Sequence, residues 1–143
     1  MTEQQNLKSP FDQAMEILNQ QMPGAHVDVI ADNFAFVWLP TINLDGNKYS
    51  EPLTRGLWVR IPITFPAAQP HGIVTREPLN PKDGHAVKGY NPNHDTCSPV
   101  KNLGGTHYYS WTWSGELGEG PKLRKPEDIL IVVAWIERRI RIA

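Results

Sequence analysis

The stretch Leu57-Trp58-Val59-Arg60-Ile61-Pro62-Ile63-Thr64-Phe65-Pro66-Ala67-Ala68-Gln69-Pro70-His71-Gly72-Ile73-Val74-Thr75 decides the fold. Leu57 to Ile63 is rich in β-branched and aromatic residues and carries a proline near its end, so it reads as a strand. Phe65-Pro66-Ala67-Ala68-Gln69-Pro70 turns the chain, and Ile73-Val74-Thr75 reads as a shorter strand.

Toward the N-terminus, the period of two continues. Val27 and Val29 alternate with His26 and Asp28, Asp32-Asn33 supplies a turn, and Phe34 to Leu39 forms the second arm of a hairpin that Pro40 closes. Asp45-Gly46 marks a further tight turn. Before the hairpin, Phe11, Ala14, Met15, Leu18 and Met22 recur every three or four residues and predict a helix. Ser9 caps it, Pro10 starts it, Asp12 meets the positive helix end, and Pro23-Gly24 stops it.

Toward the C-terminus, periodicity fades between Pro78 and about Ser110, where Asn, Pro, Gly and Asp are frequent and no element is evident. A structureless loop of that length inside a domain is more often functional than not. Lys125-Pro126-Glu127-Asp128 then leads into Ile129, Leu130, Val133, Trp135, Ile136 and Ile140, a closing helix that ends in Arg138, Arg139 and Arg141, as the helix dipole favours. The predicted order is therefore α+β: an N-terminal helix, a four-stranded antiparallel meander, a long loop and a C-terminal helix. Residues 1–8 form a flexible N-terminus and 9–143 a single domain.

Composition agrees with one domain. The chain has 143 residues, 40% of them apolar, which is enough for one sizeable core. Its formal charge of -1 gives no broad field for nucleic acid or acidic membranes. One cysteine excludes an internal disulfide, no secretion signal is evident, and Ile129 to Ile136 is too short an apolar run to span a bilayer. A soluble, cytoplasmic protein is expected.

The proline-rich turn after the third strand, the following Ile73-Val74-Thr75, and Trp111 and Trp113 downstream of Cys97 resemble the divergent bacterial relatives of the ubiquitin-conjugating (E2) enzymes. The resemblance runs from Ser9 to Ile140 and implies the ubiquitin-conjugating (UBC-like) fold, with 78–110 as its active-site loop. It also implies an E1-like activating enzyme, a ubiquitin-like protein and a protein target as partners, a place in bacterial conjugation or antiviral defence, and no cofactor. Cys97 would accept the ubiquitin-like C-terminus as a thioester and pass it to an amine. The histidine-proline-asparagine text of the family is replaced by Asn91-Pro92-Asn93-His94, and the first helix carries Asp12 and Glu16 where basic residues are usual.

Such chemistry needs an accessible thiolate, a base and an oxyanion donor. His94 is placed to deprotonate the sulfur, Asp95 to deprotonate an incoming lysine, and Asn91 or Asn93 to stabilise the oxyanion. Ser98 and Ser114 are weaker oxygen nucleophiles. Tyr108, Tyr109, Trp111 and Trp113 read as packing residues in a short extended segment, and Gly104-Gly105 as a flexible hinge. Two other readings compete. One is a catalytically inactive E2-like module that binds a ubiquitin-like or scaffold protein, which the altered asparagine motif favours. The other is a small zinc protein using His85, His94, Cys97 and His107.

Overall fold

The structure is a computed structural model that describes residues 8–50, 52–113 and 121–143. The first helix, α1, spans Pro10–Gln21; Ser9 Oγ accepts from the Asp12 N–H at 3.1 Å, and Phe11, Ala14 and Leu18 form its buried stripe. Most of the expected flexible N-terminus lies outside the described residues, but Lys8 is present and its Nζ pairs with Glu16.

The strands are β1 (His26–Ala31), β2 (Phe34–Asn43), β3 (Thr54–Pro62), β4 (His71–Thr75), β5 (Tyr90–Pro92) and β6 (His107–Thr112). The β1–β2 turn is made by Asp32 and Asn33, both with positive φ, as a tight right-twisted hairpin requires. Pro40 does not end β2. The pairing with β3 is irregular between Leu39 and Ile42, and this interruption accommodates a residue without an N–H while the strand continues to Asn43.

The expected four-stranded meander of the ubiquitin-conjugating fold is corrected here. The strands form one open six-stranded sheet of order β1-β2-β3-β4-β6-β5, paired antiparallel throughout and not closed into a barrel. Two of its strands come from the stretch after Pro78 that offers no periodicity. The strand β5 is only three residues long and holds Asn and Pro, which strands disfavour, so its pairing with β6 supplies what propensity does not.

Helices flank the sheet. A short 3-10 helix, Pro126–Asp128, leads into α2, Ile129–Ile142. The carboxylate of Asp128 accepts from the Arg124 and Lys125 N–H groups at 2.7 and 3.1 Å. Helices α1 and α2 cover the face presented by Ala35, Val37, Leu39, Leu57, Val59, Ile61 and Ile73, and these residues form one core. Trp113 lies against Trp135 of α2, with ring centroids 4.7 Å apart and planes tilted by 39°. At the end of α2, Arg139 is buried, with Nη2 donating to the Thr112 carbonyl at 2.7 Å and its guanidinium over Trp135. It is a packing residue as well as a charge at the helix end. Tyr49, fully buried, donates its hydroxyl to the Ile140 carbonyl.

The opposite face of the sheet is also covered. A second 3-10 helix, Asp95–Leu103, lies against Phe36, Trp58, Val74 and Tyr108, and it inserts Cys97 and Val100 between them. Both faces of the central strands are thus largely covered, which explains the nearly continuous apolar run Phe34 to Leu39. No helix among the described residues is long and apolar enough to cross a membrane.

Candidate functional site

The predicted site residues cluster around the start of the 3-10 helix. His94 caps it, its Nδ1 accepting from the Thr96 N–H at 3.1 Å. Its ring also lies against Tyr108, with centroids 5.0 Å apart. Asn93, His94, Asp95, Cys97, Ser98 and Lys101 line a hollow of about 60 Å³. Asn91 is elsewhere: it sits in β5 and donates its Nδ2 to the Gly89 carbonyl at 2.8 Å. Ser114 lies outside the described residues.

The nucleophile assigned to Cys97 is overturned by its burial. Asn93, His94, Asp95 and Ser98 are exposed, yet Cys97 is only 2% exposed. The cause is the helical period. With three residues per turn, positions 97 and 100 fall on one face of a 3-10 helix, and that face packs on the sheet. Burial pushes the Cys97 thiol up, against a backbone hydrogen bond with His94 that acts the other way. A thiol held protonated among apolar rings is not a nucleophile. His94 does not act as its base either, since Nδ1 already accepts a backbone proton. The expected transferase activity, the thioester and the antiviral conjugation role are withdrawn on this finding.

The zinc set does not converge. Among the described residues no group of three or more His, Cys, Asp and Glu side chains is placed to hold a metal. His107 Nδ1 is engaged with Tyr90 Oη at 2.7 Å, and His85 pairs with Asp83. The Gly104-Gly105 hinge is likewise corrected. Gly104 is the left-handed cap of the 3-10 helix, with φ 92°, and a β-carbon on Gly105 would meet Val100, Trp58 and Val74. These glycines allow close packing.

A larger feature lies beyond the other end of the same helix. An open groove of about 560 Å³ is lined by Trp38, Pro52, Arg55, Arg76, Glu77 and Asn80, among others. Trp38 projects from the second face of β2, half-buried, tilted against Trp58 with centroids 4.8 Å apart. Its ring covers Gly56 so closely that a β-carbon there would lie well inside 3.0 Å of Cζ2 and Cη2. The guanidinium of Arg76 sits 4.5 Å over the Trp38 ring and 5.2 Å over that of Trp58, while its Nε donates to the Leu103 carbonyl at 2.9 Å. Across the groove, Arg55 Nη1 donates to the Glu77 and Pro78 carbonyls at 2.8 and 3.3 Å.

Sequence reasoning missed this groove. The readable signal was parity: Trp38 shares the face of Phe36, opposite to Ala35, Val37 and Leu39. The partnership with Gly56 and Arg76 has no local signature, because those residues arrive from other strands. Comparison of the chain with protein-family models, with curated proteins and with solved structures gives no match, so these comparisons link it to no family, the ubiquitin-conjugating enzymes included.

Proposed function

We propose that this chain is a non-catalytic protein-binding module whose docking surface is the groove beside Trp38. One observation carries the reading. The structure holds a large aromatic ring at the rim of an open groove, fixed by Gly56 beneath it and Arg76 above it, while its one thiol is sealed in packing. Fixed aromatic and arginine side chains at a concave surface are what protein interfaces are enriched in. Among the partners that the sequence resemblance implies, a ubiquitin-like or scaffold protein suits a binding module. An activating enzyme and an acceptor target belong to the transfer reaction, which a buried thiol does not perform.

The test is site-specific photo-cross-linking. A photoreactive residue at Asn80, in the groove, is compared with one at Lys122, an exposed control. In cells, the Asn80 position yields a discrete protein adduct that Trp38→Ala abolishes and Cys97→Ala leaves intact. An adduct that depends on Cys97 and dissolves in reductant, or identical adducts from both positions, overturns the reading.

A further inference from the structure

We infer that the groove takes an extended acidic segment of the partner protein, with carboxylates on Arg55 and Arg76 and an apolar side chain against Trp38; this rests on the binding reading above. Arg76 spends its Nε on the Leu103 carbonyl and its planar face on the two indoles. Among the described residues nothing is hydrogen-bonded to its terminal nitrogens. Arg55 is anchored through Nη1 alone, and its buried Nε has no partner. Both guanidinium groups are therefore oriented in advance. The Arg55 Nε is buried and out of a ligand's reach, which leaves Nη2 of Arg55 and the two terminal nitrogens of Arg76 as donors without a hydrogen bond among the described residues. Oriented guanidinium edges are the strongest carboxylate receptors among side chains.

Charge on the groove is unbalanced in the same sense. Two arginines line it against one carboxylate, Glu77, and among the described residues no ion pair joins Glu77 to either arginine. The flanks are apolar. Leu53, next to Pro52, is 40% exposed, and Leu103, whose carbonyl Arg76 holds, is 43% exposed. A segment that alternates acidic and apolar side chains satisfies both features. Two separately anchored guanidinium groups suit two side-chain carboxylates better than one chain terminus. A nucleic acid strand is disfavoured by the formal charge of -1, which offers no wider basic track for a phosphate backbone.

The experiment titrates the full chain with a fluorescent peptide of alternating glutamate and leucine around a central proline. Its glutamine counterpart and an oligothymidylate serve as comparisons, and the Trp38 indole N–H resonance reports where binding occurs. The glutamate peptide shifts that resonance and binds about tenfold more tightly than the glutamine peptide, with affinity falling as salt is raised. Arg76→Gln removes one receptor but also the contact that secures Leu103, so two variants that leave every described hydrogen bond in place accompany it. Glu77→Gln tightens the glutamate peptide by about threefold and Asn80→Asp weakens it by about threefold. Equal binding of glutamate and glutamine peptides overturns the acidic preference while leaving the groove a binding surface. Binding that spares the Trp38 resonance, or no binding of the glutamate peptide, overturns the proposal, as does tighter binding of the oligothymidylate.

Discussion

Trp38 on β2 and Gly56 on β3 share one space: the indole of the first occupies the volume that any side chain on the second would need. Gly56→Ala therefore displaces the ring from the groove, at a cost of about 1–3 kcal/mol, as other overpacking substitutions do. Urea denaturation measures the loss. Because the two residues are coupled, the combined loss in the Gly56→Ala, Trp38→Ala double variant is smaller than the sum of the single losses, and additive losses would refute the steric account.

Cys97 behaves as a packing residue. Its native thiol reacts with a soluble disulfide reagent roughly a hundredfold more slowly than in urea, since reaction requires the 3-10 helix to lift off the sheet. Cys97→Ala costs about 1 kcal/mol through the small cavity it leaves. Cys97→Ser costs more, about 1–3 kcal/mol, because it places a hydroxyl among Phe36, Trp58 and Val74. Rapid labelling of the folded protein would contradict the burial.

Two histidines make opposite contributions to the pH dependence of stability. The His71 pKa is lowered, first by burial and then by Arg60, so the unfolded chain takes up its proton more readily. Stability from this group is full at neutral pH and declines as pH falls through the ordinary histidine range toward the depressed folded value. His26 is the reverse: a hydrogen bond to the Gly24 carbonyl, helped by Asp28, raises its pKa. Its contribution is present below the ordinary histidine value and fades as pH rises through the folded one. Denaturation midpoints measured between mildly acidic and neutral pH show an acid-side loss that His71→Gln reduces and His26→Gln enlarges.

Alkaline titration reports the burial of Tyr49 and Tyr109. Burial is the leading cause that pushes Tyr49 and Tyr109 up to about 12. Ultraviolet absorbance therefore shows these two ionising only near or after alkaline unfolding. Tyr49→Phe removes the hydroxyl bonded to the Ile140 carbonyl and costs about 1–2 kcal/mol in a denaturant melt. A variant as stable as the parent would show that this contact does not secure the end of α2.

Elements with strong local signals were legible. The Ser9–Pro10 helix start and the first hairpin follow from capping, turn chemistry and period, which act within a few residues. The closing helix starts directly after the acidic 3-10 turn Pro126–Asp128, at Ile129 as its apolar pattern predicts. The sheet's true extent was not legible, since β5 and β6 exist through pairing between distant segments, and Tyr90-Asn91-Pro92 has no strand propensity of its own. The site assignment failed for a related reason. His94, Asp95 and Cys97 are neighbours in sequence and remain so in space, but a 3-10 helix turns their side chains to different sides.

By itself, the sequence determined where α1 and α2 begin and which strands form the first antiparallel run. Only the tertiary structure decided that the sulfur is sealed, that the sheet has six strands, and that Trp38, Gly56, Arg55 and Arg76 meet at one groove. The physical reason is the range of the interactions. Caps and periodicity act between near neighbours, whereas burial and surface complementarity depend on which distant segments the sheet brings together.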